Sequence, residues 1–210
     1  MDTVITVNAP LDASLWLRTD WHKVNRNVKR IQHHIVQALK AESWRKVRQL
    51  QRLSARSLSA KLLAIKRVTE NRGSRTPGVD GVTWQTSAAQ SKARLSLTSK
   101  NYRAEPLKRI LIPKSRRKLR PLSIPTLKDR AMQALYKLGL EPITETLGDK
   151  DSYGFRPSRS TADAIAQCFN VLAAPHRAEW ILEGDIEECF DNILFIMNGC
   201  YPMSRCTKGY

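Results

Sequence analysis

The sequence predicts an α+β fold in which a mostly helical, basic first part precedes a smaller part that contains strands. Apolar residues recur at intervals of three and four from Val28 to Leu39 and again from Leu58 to Val68, as they do on one face of an amphipathic helix. Further along, two short apolar segments flank a basic run at Lys114 to Lys118, which is typical of a β-hairpin. These patterns indicate helices in front and a small sheet behind.

The composition points to a folded protein with a polyanionic partner. The chain has 210 residues and a formal net charge of +17, from 36 Lys and Arg against 19 Asp and Glu. Its hydrophobic content of 41% is enough to bury a core, which argues against global disorder. Basic residues near phosphates release condensed counterions, so such a charge favours nucleic acid as the partner. A basic surface that merely keeps the protein soluble is the alternative.

Several other classes of protein fit poorly. No apolar run approaches the roughly 20 residues that a membrane-spanning helix needs. The first ten residues lack the basic start and apolar stretch of a secretory signal. Cys168 and Cys189 stand alone, and Cys200 and Cys206 have no His or Cys at zinc-like spacing. We therefore expect reduced thiols, a cytosol-like compartment and no membrane partner.

The first half of the chain reads as helical. Residues 1–19 form a polar lead-in. Between Asp20 and Arg75 there are 15 Lys and Arg but only 3 acidic residues. Gly73 to Gly81 reads as a loop because Pro-Gly and Asp-Gly pairs favour turns, and a short helix is expected from Thr86 to Leu97.

The second half alternates strands and helices. Arg109 to Pro113 and Leu119 to Ile124 predict the two strands of the hairpin. Thr126 followed by Asp129 suggests a helix start, and that helix is expected to reach about Leu147 with a possible bend at Pro142. Ser160 with Asp163 repeats this logic for a helix that ends near Ala173, and Glu179 to Ile186 is predicted to form a strand.

Acidic residues gather at the end of this last predicted strand. Six of them lie between His176 and Asp191, against one Arg. Carboxylates collected in an otherwise basic protein suit Mg²⁺, which prefers carboxylate oxygens and phosphates. An ordinary helix start, where acids face the positive end of the helix dipole, is the alternative.

Six segments, in order, resemble the group II intron reverse transcriptase/maturase family, and the resemblance covers roughly residues 20–193, which is nearly the whole chain. The segments are Thr76-Pro-Gly-Val-Asp-Gly81, Pro106 to Lys114, Leu119 to Gln133, Leu140-Glu-Pro-Ile143, Ser152-Tyr-Gly-Phe-Arg-Pro-Ser-Arg-Ser160 and Trp180 to Ile193. The family fold is a right hand of fingers, palm and thumb, followed by a maturase domain. The resemblance implies an N-terminal extension over residues 20–100, fingers over 101–175 and the first palm strand with its metal-binding motif over 176–193. It is compatible with a bacterial cytoplasm or an organellar matrix.

By this resemblance, the palm motif supplies the catalytic and metal-binding residues. Asp185 is expected to be the catalytic aspartate and, with Ile186, to bind Mg²⁺. Phe190, five residues on, is expected to exclude a ribose 2′-hydroxyl, although a core position is the alternative. Arg109, Lys114 and Arg120 of the hairpin are expected to hold the incoming deoxynucleoside triphosphate, because arginine bonds phosphate oxygens with two nitrogens at once. General contacts to template phosphates are the alternative for these three.

The resemblance also implies a surface for group II intron RNA, template RNA and a DNA primer. Tyr153 and Phe155 either stack on bases or pack in the core, and Trp44 and Trp84 are expected to pack. The residues predicted to contact RNA or template are Arg26, Lys29, Arg30, Arg45, Arg48, Arg52, Tyr153, Arg156 and Arg159.

The sequence departs from the family pattern after Ile193. The sequence contains no Asp-Asp pair, which the family uses for its second metal-binding motif, and residues 194–210 resemble no family segment. A frameshift or early stop would produce such an aberrant tail, and we expect no polymerase activity from this chain alone. An RNA-binding module that assists splicing without polymerising is the alternative function; a generic basic DNA-binding protein is a weaker one.

Overall fold

The computed structural model describes residues 13–113, 119–173 and 180–184. The chain divides into two compact units, Met1–Ile143 and Thr144–Tyr210. The elements, in chain order, are the helices α1 (Ala13–Leu17), α2 (Trp21–Lys40), α3 (Trp44–Arg56) and α4 (Leu58–Thr69), a 3-10 turn (Arg72–Arg75), α5 (Ser87–Ser96), the strands β1 (Lys108–Pro113) and β2 (Leu119–Ile124), and the helices α6 (Leu127–Leu147) and α7 (Thr161–Leu172).

Helices build the core of the first unit. Val24 and Val28 of α2 lie buried with residues of α4, α5 and the first half of α6, and Trp84 joins them. A smaller cluster unites the second half of α2 with Val47 of α3. Apart from the exposed Leu58, the periodic apolar positions seen in the sequence face these clusters, so the opposite faces of α2 and α3, which carry the basic residues, turn to solvent.

The helix α6 continues through Pro142 because side chains from neighbouring helices replace a missing hydrogen bond. Proline has no N–H, so it cannot donate to the carbonyl of Leu138 four residues earlier. The Gln32 side chain donates to that carbonyl at 3.0 Å, and buried Gln51 donates to the carbonyl of Gly139 at 3.2 Å. These two bonds also join α2 and α3 to the middle of α6.

The two strands form one antiparallel sheet with a simple register. Arg109 pairs with Ser123, and Ile112 pairs with Arg120. Every residue of β1 is exposed, and only the last residue of β2 is partly buried. The predicted hairpin and the α+β fold class are therefore confirmed.

The helix starts and ends follow the sequence predictions closely. Thr86 accepts a bond from the Ala89 amide ahead of α5, and Ser160 forms a full capping box with Asp163 ahead of α7.

In the second unit α7 has no buried residue, so Ile165 and Phe169 on its apolar face are exposed.

Three expectations differ from the structure. The lead-in contains α1, whose Trp16 packs against the core cluster. Trp44 is 43% exposed, whereas the sequence analysis expected it to pack. Residues 180–184, the described part of the predicted strand at 179–186, are not in a strand. A strand requires a paired neighbour, and no partner lies beside this segment among the described residues.

Candidate nucleic-acid interface

A basic surface covers the solvent side of α2 and α3. The predicted RNA contacts Arg26, Lys29, Arg30, Arg45 and Arg52 are all exposed, and Arg48 is half-buried. The ion pairs of the described residues are Lys66–Glu70, Lys137–Glu141 and Arg156–Glu145, and none involves α2 or α3. Among the described residues, no carboxylate forms an ion pair with this surface, although the charge of Arg26 acts on nearby Asp20.

The acids nearest to this surface are committed elsewhere or lie at its edge. The Asp20 side chain accepts a bond from the Lys23 amide at 3.0 Å as the N-cap of α2, and this bond lowers the pKa of Asp20. Glu42 lies in the turn between the two helices, with a φ of 51°. The helix α3 itself contains no acidic residue.

An aromatic side chain interrupts the basic surface at the start of α3. Trp44 is 43% exposed and is one helical turn from Arg48. Exposed aromatic rings beside basic residues suit unpaired bases, which stack on them. The sequence analysis expected Trp44 to pack, because the spacing of an aromatic residue does not reveal which side of a helix the core occupies.

The loop after α4 brings two more arginines to the surface. Arg72 and Arg75 are exposed and line an open cleft of about 470 Å³ at the end of α4. Gly78, further along the loop, is buried, and a Cβ on it would lie 2.6 Å from Cα of Thr126. Only glycine allows the loop backbone to approach the start of α6 this closely.

Arg130 binds this loop to α6. Its Nη1 donates to the carbonyl of Gly73 at 2.8 Å, its Nη2 donates to the carbonyl of Thr76, and its Nε donates to the carbonyl of Pro125 at 3.1 Å. Burial lowers the pKa of Arg130, and the nearby Asp80 carboxylate opposes that shift. The three nitrogens thus join two segments that are more than fifty residues apart in sequence.

The adjacent Asp129 organises the segment that leads into the hairpin. It is 3% exposed, and its carboxylate accepts bonds from the hydroxyls of Tyr102 and Thr126, the latter at 2.6 Å. The amide of Glu105 donates to it as well, at 3.3 Å. Burial and the bond to Asp129 raise the pKa of Tyr102. The predicted helix start at Thr126 is confirmed. Its Asp129 also binds the segment that leads into the hairpin.

The hairpin does not bring its two described arginines together. Directly opposed residues of an antiparallel pair share a face, and successive residues alternate between faces. Arg120 opposes Ile112 and so shares a face with Lys108, whereas Arg109 opposes Ser123 on the other face. Lys114, the third predicted nucleotide contact, lies outside the described residues.

In the second unit, Arg156 is engaged within the protein. Its Nη2 lies 2.9 Å from a Glu145 carboxylate oxygen, and its Nη1 donates to the carbonyls of Asp149 and Ser152. This contact lowers the pKa of Glu145 and raises the pKa of Arg156. The arginine therefore fixes the loop that follows α6.

The same loop presents an aromatic residue in an unusual backbone conformation. Phe155 has a φ of 60° and is fully exposed, whereas bulky residues rarely adopt positive φ. Arg159 lies 5.1 Å from the centre of the half-buried Tyr153 ring and donates to the carbonyl of Lys150 at 2.6 Å. Phe155 is thus the more accessible of the two aromatic residues.

The predicted palm residues Asp185, Ile186 and Phe190 lie outside the described residues. Within residues 13–113, 119–173 and 180–184, no group of three His, Cys, Asp or Glu side chains is arranged to hold a metal ion. In those same ranges, no helix has the length and apolar character to cross a membrane.

Comparisons with known proteins give two consecutive family matches. Residues 16–97 match the N-terminal domain of reverse transcriptase, and residues 112–195 match reverse transcriptase, the RNA-dependent DNA polymerase. Between them they span most of the chain, including the basic helices, the last two residues of β1 and all of β2.

Individual relatives come from bacteria and from a yeast intron. Protein YkfC of Escherichia coli K12 is 40% identical over 130 residues, which are 59% of this chain and 34% of that protein. The group II intron-encoded protein LtrA of Lactococcus lactis subsp. cremoris is 34% identical over 134 residues, covering 62% of this chain and 22% of LtrA. A 91 kDa protein in the cob intron of Schizosaccharomyces pombe is 34% identical over 134 residues, covering 63% of this chain and 16% of that protein.

The chain spans about a third or less of the length of these relatives. The matched segments include the basic helices, the loop held by Arg130 and, from Ile112 onward, the hairpin. The chain therefore belongs to the group II intron reverse transcriptase/maturase family.

Proposed function

We propose that the chain binds structured intron RNA through the basic surface of α2 and α3, as part of a reverse transcriptase/maturase that copies RNA into DNA. The observation that carries this proposal is the exposed positive charge of the two helices, which forms no ion pair with a carboxylate of the described residues. Such a surface attracts phosphates and releases their counterions. Bacterial and yeast relatives named for introns support RNA as the polyanion.

Base contacts would add to the phosphate contacts. Trp44 projects from the basic surface beside Arg45, and an unpaired base that stacks on it contributes about 1 to 3 kcal/mol. This contribution differs from that of the arginines because it does not depend strongly on salt. RNA with unpaired loops should therefore bind more tightly than a fully paired duplex of the same length.

The hairpin supports a separate proposal about the nucleotide. Arg120 and Lys108 share one face and can approach the same triphosphate or template phosphate, whereas Arg109 must contact something on the opposite face. We retain Arg120, together with Lys114, as the nucleotide contacts and assign Arg109 to the template. A magnesium ion held by Asp185 and Ile186 remains part of the proposal through the family alone.

The proposal is tested by measuring the affinity of the purified chain for a labelled RNA hairpin with unpaired loop bases. Arg48→Gln with Arg52→Gln should weaken binding. The matched control, Lys66→Gln with Lys137→Gln, removes the same charge from residues already paired with glutamates, and it should weaken binding much less. Equal losses in both double variants would show that only net charge matters and would refute a specific surface on α2 and α3.

A second pair of variants tests the stacking role. Trp44→Ala should weaken binding to the looped hairpin while leaving its salt dependence unchanged. Leu53→Ala, on the same helix and 53% exposed, is the control and should leave binding unaltered. If the two variants behaved alike, Trp44 would have no stacking role.

A further inference from the structure

The side chain of Arg130 forms hydrogen bonds with backbone segments outside α6. Its guanidinium points away from the helix axis and donates to three backbone carbonyls, of which two belong to the loop after α4. The same loop carries the exposed Arg72 and Arg75 at the rim of the open cleft. Arg130, which holds the loop, is therefore a different residue from Arg72 and Arg75, which the loop exposes to solvent.

The loop has few other attachments of its own. Within it, the Ser74 amide donates to Asn71 at 3.1 Å and the Thr76 amide donates to Gly73 at 3.0 Å. From outside, exposed Gln85 donates to the carbonyl of Ser74 at 3.2 Å. Short turns held by so few bonds open locally at low free-energy cost, so the Arg130 contacts decide how firmly the loop is held.

Arg130 is itself held in a fixed place. It follows Asp129, whose buried carboxylate binds Thr126 and thereby fixes the first turn of α6. The backbone of the loop also approaches this turn at Gly78, where no side chain would fit. The position of the loop is consequently set relative to the start of α6.

We propose that Arg130 is a positioning residue that holds the Gly73–Thr76 segment so that Arg72 and Arg75 contact the phosphates of bound RNA. This inference rests on the proposed RNA-binding function and extends it to a second surface. Three of the five guanidinium N–H groups of Arg130 donate to protein carbonyls, so its effect on RNA is expected to act through the loop that these bonds hold.

The decisive variant is Arg130→Lys. Lysine keeps the charge, but its single nitrogen cannot take the places of three nitrogens that point to different carbonyls. The matched control is Arg67→Lys, which makes the same change at an exposed position on α4. Far-UV circular dichroism establishes that each variant is folded before binding is measured.

Two measurements follow with the whole chain and a fluorescein-labelled RNA hairpin that has a single-stranded overhang. Hydrogen exchange at the amides of Ser74 and Thr76 should accelerate in Arg130→Lys while exchange in α3 stays unchanged. RNA binding should weaken, and its salt dependence should flatten by up to about 1.4 to 1.8 in the logarithmic slope, the value for two lost phosphate contacts. Arg67→Lys should change neither quantity.

A double-mutant cycle shows whether Arg130 acts through the loop. Arg72→Gln with Arg75→Gln should flatten the slope by the same amount, and adding Arg130→Lys to that pair should weaken binding no further. If the losses multiplied, Arg130 would act independently of the loop and the proposal would be overturned. The milder Gln85→Ala, which removes an exposed loop contact, should shift exchange in the same direction; unchanged exchange in both Arg130→Lys and Gln85→Ala would also overturn it.

The proposed RNA-binding function and the proposed positioning role of Arg130 are refuted by different results. If the unaltered chain binds no RNA, the proposed function is wrong, and the role of Arg130 toward RNA falls with it. If the unaltered chain binds RNA and Arg130→Lys accelerates exchange without weakening binding, only the positioning role is wrong.

Discussion

Replacing Asp129 by alanine is expected to destabilise the first unit by about 3 to 5 kcal/mol. The buried carboxylate accepts bonds from Tyr102, Thr126 and the amide of Glu105. The Thr126 hydroxyl, 1% exposed, would lose its acceptor out of reach of water, at a cost of about 1 to 3 kcal/mol. The rest of the loss comes from the hydrogen bonds that the Tyr102 hydroxyl and the Glu105 amide donate to the charged carboxylate. Their contribution to stability is reduced because both donors are partly exposed to solvent.

Urea denaturation followed by far-UV circular dichroism measures this loss. The control is Asp163→Ala, because Asp163 occupies the same place in a capping box, three residues after Ser160, but is exposed. Asp163→Ala should cost clearly less. Equal losses in the two variants would mean that Asp129 acts only as a helix cap, and the reasoning about its buried partners would be refuted.

Three further predictions concern other parts of the chain. Gly78→Ala should lower the free energy of unfolding by about 1 to 3 kcal/mol, because the new Cβ meets the Thr126 backbone; an unchanged urea midpoint would contradict this. The Glu145–Arg156 contact lowers the pKa of Glu145, so its contribution to stability is complete above the ordinary glutamate pKa and is lost as pH falls through the lower folded value. There the NMR chemical shift of the Arg156 Nε proton should move to that of a free guanidinium, and such a change already near neutral pH would disagree. Phe155→Ala should leave thermal stability unchanged or raise it, because the fully exposed ring is held at positive φ; a marked loss of stability would show that the ring packs.

Local patterns in the sequence predicted the helices and the hairpin well. The starts at Thr86 and Ser160 depend on side chains that bond amides three residues on, so nearby sequence suffices to predict them. Burial of a single aromatic residue does not follow from such patterns. Trp44 was expected to pack but is 43% exposed, because its burial depends on which helices pack beside it.

The candidate site was less predictable, since its contacts join distant segments. The sequence analysis placed RNA contacts on α2 and α3, and these basic residues are exposed, except for the half-buried Arg48. It did not identify Arg130, because bonds to carbonyls of Gly73 and Thr76 leave no local pattern. The opposite faces of Arg109 and Arg120 depend on the hairpin register, which the sequence analysis had left open.

The salt dependence of RNA binding tests the basic surface most directly. The dissociation constant is measured across a series of potassium chloride concentrations for the unaltered chain and for a variant in which six residues become glutamine: Arg26, Lys29, Arg30, Arg45, Arg48 and Arg52. The slope of its logarithm should flatten by about 0.7 to 0.9 for each residue that contacts a phosphate. If the folded variant kept both the affinity and the slope of the unaltered chain, α2 and α3 would not be the RNA-binding surface.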